Sequence, residues 1–333
     1  MRLCRFLPAP LTSPAEAQPI PQFGFYQEDA IIPLKATFQT YRSESTEPPG
    51  PLPDFVSAKM TDFLPPDGKW FEATKAVFQW LSENPQTSQN LAIPDFQLEI
   101  PVDIPPKFLL LAGNYPKHVE ERGDTAAERR ETFPYVFWKP PTTSLRPSGA
   151  TIPLPAINPN AWDYELELAV LIGRRAFQVS EEDALGYVAG YTIVNDLSDR
   201  NFRPNPDRRE RPRDRFFDWL HGKWHEGSAP CGPCVASASS LSDPQALDMQ
   251  LTINGEIRQD ANTSQQVFSV AAVISFLSSF VPLEPGDLIS TGTPAGVGAA
   301  TGRFLQPGDL IEAKIESIGT LVTKIAQDSS EMQ

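Results

Sequence analysis

The sequence predicts a strand-rich α+β fold on three observations. Residues Trp162–Gly173 alternate like a strand whose two faces differ in polarity. Residues Tyr187–Asp196 are almost wholly apolar, which is typical of a strand in the middle of a sheet. Asn254-Gly255 separates two strand-like runs and is a strong signal for a hairpin. Helical spacing is confined to a few short stretches.

Residues 1–100 are predicted to form a small N-terminal module or arm, and residues 101–330 a larger domain. Twelve of the chain's 35 prolines precede residue 67, so we expect short strands between turns in the module. Its predicted elements are strands over Met1–Leu7, Gly24–Tyr26 and Phe55–Ala58, a helix over Lys69–Ser82 and a linker over Asn90–Pro106.

A buried strand over Phe108–Gly113 is predicted to lead into a short helix between Pro116 and Gly123. His118 and Glu121 lie three residues apart on that helix and therefore share a face. A carboxylate beside an imidazole orients the ring and raises its basicity, so the pair is a candidate general base for water. The alternative is a surface contact with no role.

Two carboxylates, Glu165 and Glu167, point to the same side of the predicted strand, with Cα atoms roughly 6–7 Å apart. The strand continues apolar to Gly173, so we expect these carboxylates beside a core, where a hard cation would relieve their repulsion. Asp196 ends the next strand, where loops build sites. Three such ligands suit Mg²⁺ or Mn²⁺, and Ca²⁺ less firmly. The alternative is an edge strand with a solvated acidic face.

Several basic residues are candidates for binding an anion or for covering the site. Lys139 ends an apolar strand and is either a binding cation or merely solvated, and Lys223 is a second candidate cation. The segment Arg203–Asp218 is interpreted as a solvated loop or as a lid over the site. Its arginines are Arg203, Arg208, Arg209, Arg211, Arg213 and Arg215.

The last third of the chain supplies a loop of small and hydroxyl residues, Thr291–Gly298. It lacks the Lys-Ser/Thr ending of a phosphate loop and suits close approach to a carboxylate or carbonyl oxygen. Further predicted elements are a short capped helix over Ser180–Leu185, strands over Met249–Ile253 and Glu256–Gln259, and a helix over Val267–Phe280.

Composition argues against several classes of protein. The net charge of −14 disfavours nucleic acid or an anionic membrane as the main partner. No apolar run approaches the roughly 18 residues that cross a bilayer. Prolines interrupt the N-terminus where a signal peptide would be apolar, so we expect a cytoplasmic protein and leave a mitochondrial location open.

Cys231-Gly232-Pro233-Cys234 has the spacing of thioredoxin-type redox sites. No βαβ pattern surrounds it, and a zinc site would need ligands beyond these two. We therefore interpret it as a turn with incidental cysteines.

Together these motifs resemble the fumarylacetoacetate hydrolase superfamily, specifically its short acylpyruvase and oxaloacetate-decarboxylase-like branch. The resemblance covers about residues 107–325. Its motifs, in the family's order, are Gly113-Asn114-Tyr115 with His118 and Glu121, Phe137–Pro141, Tyr164–Leu168, Asn195-Asp196 with Arg200, Gly222-Lys223 and Thr291–Gly298. It implies a mixed β-sandwich roll, a homodimer and one Mg²⁺ or Mn²⁺.

The resemblance also implies roles for individual residues. Glu165, Glu167 and Asp196 would hold the metal, while His118 and Glu121 would activate water on a mobile segment. Lys223, Arg200 and Thr293 would hold the substrate. We also expect Lys223 to be catalytic, and Lys139, Gly292 and Arg203 to take part in substrate binding.

The chain departs from the family at the substrate mouth. Arg203 stands where members often have Gln, and Trp224-His225-Glu226 follows Lys223 in place of Ser-Phe-Asp. Cys231-Gly232-Pro233-Cys234 replaces a common Leu-Gly-Pro turn. These changes leave the expected metal site better defined than the substrate.

The predicted function is metal-dependent cleavage of a C–C bond in a small anionic 2-oxo or 1,3-dicarbonyl acid. Decarboxylation and tautomerisation or isomerisation on the same metal site are alternatives. From other classes, the alternatives are a thiol–disulfide oxidoreductase that uses Cys231 and Cys234, and a non-catalytic protein that binds a metal or an acid.

Overall fold

The structure is a computed structural model that describes residues 1–8, 20–45, 50–121, 123–126 and 129–327. Parts of the predicted N-terminal module, residue 122 of the predicted Pro116–Gly123 helix and residues 328–330 of the predicted larger domain lie outside the described residues.

Within the described ranges, the strands are β1 (Arg2–Pro8), β2 (Gln22–Tyr26), β3 (Ile31–Pro33), β4 (Phe96–Glu99), β5 (Phe108–Ala112), β6 (Tyr135–Trp138), β7 (Leu145–Arg146), β8 (Thr151–Pro153), β9 (Trp162–Asp163), β10 (Leu166–Ile172), β11 (Val188–Asn195), β12 (Ser198–Asp199), β13 (Ala229–Ser237), β14 (Asp248–Ile253), β15 (Glu256–Asn262), β16 (Leu288–Ser290), β17 (Leu310–Ile315) and β18 (Gly319–Ala326). The α-helices are α1 (Leu34–Glu44), α2 (Phe71–Glu83), α3 (Pro85–Leu91), α4 (Pro116–Glu120), α5 (Pro141–Ser144), α6 (Asp214–His221), α7 (Val270–Ser278) and α8 (Gly298–Thr301).

Most strands belong to two sheets. An 11-stranded sheet has the order β3-β2-β1-β13-β11-β10-β16-β5-β6, with β4 paired to β1 and β7 paired to β13. A five-stranded sheet has the order β15-β14-β17-β18-β8. The β16–β5, β13–β7 and β18–β8 pairs are parallel, whereas the other recorded pairs of these sheets are antiparallel. The large sheet is therefore mixed, and the five-stranded sheet has one parallel pair at its edge.

The main core lies between these sheets and explains the alternation in β10. Leu166, Leu168 and Val170 point into a cluster that also contains Leu251 and Ile311 of the smaller sheet. Because successive side chains of a strand alternate, Glu167 is on the opposite face. The predicted strand-rich α+β sandwich is confirmed.

The N-terminal residues extend the large sheet and cover its other face. Strand β1 pairs directly with β13, and β2 and β3 continue the sheet beyond it. Phe38 of α1 and Val77 of α2 pack in a second cluster with Leu171 of β10. The described residues among the first 100 thus share a sheet and a core with the rest of the described chain.

Several predicted elements differ from the structure. Phe55–Ala58 forms a turn and not a strand, and the predicted linker Asn90–Pro106 contains β4, which pairs with β1. The predicted Ser180–Leu185 helix is a turn followed by a 3₁₀ helix over Ala184–Tyr187. The predicted loop Arg203–Asp218 ends inside α6. None of the helices in the described ranges is long and apolar enough to span a bilayer.

Candidate active site

Glu165, Glu167 and Asp196 converge in one buried cluster. Their carboxylate oxygens lie within 4.8 Å of one another, and none of the three residues is more than 4% exposed. Leu166 pairs with Asn195 across β10 and β11, so Glu165 and Asp196 are neighbours just beyond the paired strands. The alternative of a solvated edge strand is wrong, because β10 lies between β11 and β16.

Glu167 is held through one of its two carboxylate oxygens. Ser290 Oγ donates to Oε2 at 2.5 Å, and the backbone N–H of Gly292 donates to the same atom at 3.0 Å. The other oxygen, Oε1, is buried and has no hydrogen-bond partner among the described residues. Burial, followed by repulsion from Asp196 and Glu165, raises the pKa of Glu167 well above its usual range.

Lys223 and Arg200 provide positive charge beside Glu165. Lys223 Nζ donates to Glu165 Oε2 at 2.8 Å and to Asp196 Oδ2 at 2.6 Å. Arg200 Nε donates to Asp163 Oδ2 at 2.7 Å, and its Nη2 contacts Glu165 Oε1. Burial alone would raise the pKa of Glu165, but the charges of Lys223 and Arg200 more than offset it and lower that pKa well below its usual range.

Lys139 is more deeply buried than expected from the sequence, which predicts either a substrate-binding cation or a solvated side chain. Its side chain is fully buried, Nζ is 2.6 Å from Asp196 Oδ1, and it donates to the carbonyl oxygens of Leu197 and Ser228. Burial lowers its pKa to about 8, against the attraction of Asp196. Lys139 is not solvated, and its ammonium is directed at a carboxylate of the cluster.

The cluster fits a hard divalent cation. All three candidate ligands are carboxylates, the donor type that Mg²⁺, Mn²⁺ and Ca²⁺ prefer. The unpartnered Oε1 of Glu167 is a buried acceptor that needs a positive partner, since an unsatisfied buried acceptor is costly. Glu165, Glu167 and Asp196 are therefore the residues that could hold a metal ion.

His118 and Glu121 form the predicted pair at the end of α4. His118 Nδ1 lies 2.7 Å from Glu121 Oε1, and the backbone N–H of Gly296 donates to Glu121 Oε2 at 2.8 Å. His118 is 6% exposed and lines a cavity of about 330 Å³. The pair is thus held by the Thr291–Gly298 loop and is not a surface contact.

The Thr291–Gly298 loop is fixed mainly by contacts within the protein. Gly292 has a φ of +89°, which favours glycine, and its N–H is directed at Glu167. Thr293 Oγ1 accepts a hydrogen bond from Gln259 Nε2 at 2.8 Å. Of the residues expected to touch substrate here, Gly292 therefore supports the carboxylate cluster, and Thr293 is held by Gln259.

A cavity of about 810 Å³ adjoins the cluster. Arg200 and Glu121 line it, together with Arg203 from the arginine-rich segment. Arg203 is 44% exposed and contacts Glu210 Oε1 at 3.2 Å. Arg200 and Arg203 thus line the same cavity, whereas the fully buried Lys139 is not among its lining residues.

Both cysteines of Cys231-Gly232-Pro233-Cys234 lie in β13, in the middle of the large sheet. They are fully buried, and burial raises the pKa of Cys231 to about 12 and that of Cys234 higher still. A redox thiol is activated by a lowered pKa and by access to its partner. This setting argues against the oxidoreductase alternative.

Sequence reasoning missed several supporting residues. Asp163 accepts from Arg200 and from the backbone N–H groups of Gly298 and Ala299, so it joins the cluster to α8. Asn114 makes three hydrogen bonds to the backbone of Thr291 and Phe268. Asp163 lies two residues before Glu165 in the predicted acidic strand, and this position could have marked it as part of the cluster. No local sequence pattern predicts the contacts of Asn114, because its partners are more than 150 residues away.

Comparison with known proteins agrees with this site. The family model described as fumarylacetoacetate (FAA) hydrolase C-terminal matches residues 107–326. An uncharacterised protein of Pyrococcus abyssi is 39% identical over 226 residues, which are 68% of this chain and 92% of that protein.

Two solved structures resemble nearly the whole chain. Maleylpyruvate hydrolase from a Sphingobium species, in complex with manganese(II) ion and pyruvate, has a TM-score of 0.68 at 26% identity, over 98% of this chain and 99% of that one. The 2-hydroxyhepta-2,4-diene-1,7-dioate isomerase of Mycobacterium marinum has a TM-score of 0.63 at 25% identity, with the same coverage. The family match spans the carboxylate cluster and the His118–Glu121 pair. The chain belongs to the fumarylacetoacetate hydrolase family.

Proposed function

We propose that the protein is a Mg²⁺-dependent hydrolase that cleaves a C–C bond in a 2-oxo or 1,3-dicarbonyl acid, and that Mn²⁺ can replace Mg²⁺. The observation that supports this most is the buried cluster of Glu165, Glu167 and Asp196, with Oε1 of Glu167 lacking a partner. A divalent cation bound there would polarise a substrate oxygen and stabilise the negative charge that develops on it.

The His118–Glu121 pair is proposed to activate water. Glu121 occupies Nδ1 of the ring, so the other ring nitrogen is left to accept a proton from water. The hydroxide adds to the distal carbonyl carbon, and the bond from that carbon to the next one breaks. The electron pair leaves with the 2-oxo acid fragment, which then takes up a proton. The products are a carboxylic acid and a 2-oxo acid.

The cations divide into two proposed roles. Arg200, 8% exposed on its side chain and lining the cavity, attracts the substrate carboxylate. A metal ion held by Glu165 and Asp196 would supply the positive charge that Lys223 now gives them, and would leave the Lys223 ammonium to hold the substrate. Lys139 orients Asp196, because its three polar contacts are all within the protein. Gly292 and Thr293 are proposed to contact the substrate beside Glu167, to which the backbone N–H of Gly292 donates.

Decarboxylation and isomerisation remain alternatives on the same cluster, and the likeness to an isomerase supports keeping the second. Isomerisation needs proton transfers and decarboxylation needs loss of a carboxylate, and neither reaction consumes water.

We also propose a homodimer and a cytoplasmic location. Exposed aromatic residues around the edge strand β6, namely Phe133, Tyr135, Phe216 and Phe280, offer an apolar surface for a second copy.

Replacement of His118 by Ala tests the proposed role of the pair. We expect hydrolysis of an acylpyruvate to fall by about 100-fold or more, the scale of a lost general base. Decarboxylation of oxaloacetate, measured on the same metal-loaded preparation, should fall far less because it consumes no water. An equal loss of both activities would contradict a separate role for His118, and unchanged metal binding is the control.

A further inference from the structure

One buried amide contacts both the strand that carries the candidate metal ligands and the loop beside them. Gln259 lies on β15, the edge strand of the five-stranded sheet, and is fully buried, whereas Ile257 on the same strand is 54% exposed. Glutamine is usually exposed in proteins and isoleucine is usually buried. The burial of Gln259 is therefore explained by its hydrogen bonds and not by the removal of apolar surface from water.

The two ends of this amide hold different parts of the site. Gln259 Oε1 accepts from the backbone N–H of Leu166 at 2.9 Å, and Leu166 separates the two glutamates of the carboxylate cluster on the chain. Gln259 Nε2 donates to Thr293 Oγ1 and to the carbonyl oxygen of Pro294, both at 2.8 Å. The oxygen of the amide thus holds β10, and its nitrogen holds the loop that follows β16.

Other contacts anchor the two ends of that loop. At its start, the N–H of Gly292 donates to a carboxylate of the cluster, and at its end the N–H of Gly298 donates to Asp163. For the middle of the loop, Thr293–Ala295, the described part of the chain provides one side chain as a hydrogen-bond partner, which is Gln259. The position of the middle of the loop therefore depends on this amide.

The middle of the loop adjoins the residue that holds Glu121. The N–H of Gly296 donates to Glu121 Oε2 at 2.8 Å. Gly296 also packs against β15, since a Cβ atom at this position would lie 2.0 Å from the carbonyl oxygen of Arg258. Release of the loop from Gln259 would therefore displace the N–H group that holds the carboxylate of the water-activating pair.

We propose that Gln259 is a positioning residue for hydrolysis. Its N–H groups fix the loop that holds Glu121, and its oxygen fixes β10 between the candidate metal ligands. This inference rests on the proposed function and adds a residue that acts through the loop and the strand, without touching the substrate. Loss of the N–H donors should impair the activation of water, whereas loss of the oxygen should also weaken metal binding.

Two variants separate the two ends of the amide. Gln259→Glu retains an oxygen that can accept from Leu166, but its carboxylate has no N–H group to donate to the loop. Gln259→Met has neither donor nor acceptor and introduces no charge. Gln266→Glu is the matched control, because Gln266 Nε2 donates to Thr291 Oγ1 at 2.7 Å but Thr291 is held independently by the carbonyl oxygen of Leu168.

Three measurements are made on Mg²⁺-loaded protein: the rates of acylpyruvate hydrolysis and oxaloacetate decarboxylation, the Mg²⁺ affinity by isothermal titration, and hydrogen–deuterium exchange of the peptide that contains Gly296. Gln259→Glu should lower the ratio of hydrolysis to decarboxylation by about 10-fold and raise the exchange rate of the loop by about 10-fold, with unchanged Mg²⁺ affinity. Gln259→Met should also weaken Mg²⁺ binding. Gln266→Glu should keep the wild-type ratio and exchange rate.

An unchanged activity ratio or an unchanged exchange rate of the loop in folded Gln259→Glu would overturn the inference. If the charged variant does not fold, Gln259→Met gives the same comparison for the ratio and the exchange rate. Turnover of neither substrate by the wild-type protein would count against the proposed function. The exchange measurement needs no turnover and then judges the inference alone, and equal exchange in wild type and variant would overturn it.

Discussion

Replacing Glu167 by Gln should separate two effects of the carboxylate cluster, namely the repulsion between its charges and its binding of a metal ion. Glutamine keeps the size of the side chain and can still accept from Ser290 and Gly292, but it cannot carry the negative charge that Glu167 has when it is ionised. Two unit charges 4.8 Å apart repel by about 3.5 kcal/mol at an effective dielectric constant of about 20. Lys223 and Lys139 already offset much of this repulsion, so we expect the metal-free variant to be more stable than wild type by about 1 kcal/mol.

With Mg²⁺ bound, we expect the wild-type protein to be more stable than the Glu167→Gln variant. A ligand present at 100 times its Kd stabilises the folded state by about 2.7 kcal/mol. With an unfolding entropy of about 2.1 cal/mol/K per residue, this raises the Tm of a 333-residue chain by about 4 °C. The variant lacks one ligand charge, so its Tm should rise by less than about 1 °C at the same Mg²⁺ concentration.

Differential scanning calorimetry with EDTA and with Mg²⁺ measures both changes, and isothermal titration gives the affinity. Glu312→Gln is the matched control, because Glu312 is exposed on β17. It should keep the full Mg²⁺ response. The reasoning is refuted if Glu167→Gln keeps the wild-type rise in Tm, or if the metal-free variant is less stable than wild type by several kcal/mol.

Two further predictions concern residues around the cluster. Asn114→Leu should destabilise the protein by about 3 kcal/mol in urea unfolding, because it leaves two buried carbonyl oxygens and one N–H without partners, whereas the exposed Asn205→Ala should change stability by less than about 0.5 kcal/mol. At pH 8 only about 1 in 10⁴ of the Cys231 thiols is ionised, because burial favours the neutral form and raises its pKa to about 12. Iodoacetamide should therefore label Cys231 and Cys234 only after denaturation, and rapid labelling of the native protein would revive the redox alternative.

The parts of the site that the sequence predicts are those with local patterns. The alternation around Glu165 and Glu167, the spacing of His118 and Glu121, and the apolar run before Asp196 each follow from a single element. Glu165, Glu167 and Asp196 come together because β10 and β11 are adjacent and antiparallel, whereas Glu121 is held by the backbone N–H of Gly296.

The parts that the sequence does not predict depend on long-range contacts. Lys139 was expected near solvent or substrate, but the carbonyl oxygens of Leu197 and Ser228 and the carboxylate of Asp196 surround its ammonium. Proline content predicts a small N-terminal module or arm, but it does not predict the pairing of β1 with β13, which joins residues more than 200 positions apart. Neither contact leaves a periodic pattern in the chain.

The most direct test of the account is a turnover screen of metal-stripped protein. Acylpyruvates, oxaloacetate and diketo acids of the fumarylacetoacetate type are supplied with EDTA, Mg²⁺ or Mn²⁺, and the products are identified. We predict Mg²⁺-dependent cleavage of an acylpyruvate into equal amounts of pyruvate and a carboxylic acid. Absence of turnover in protein that binds Mg²⁺ would contradict the enzymatic account and favour a binding protein, and turnover unaffected by EDTA would contradict the role of the carboxylate cluster.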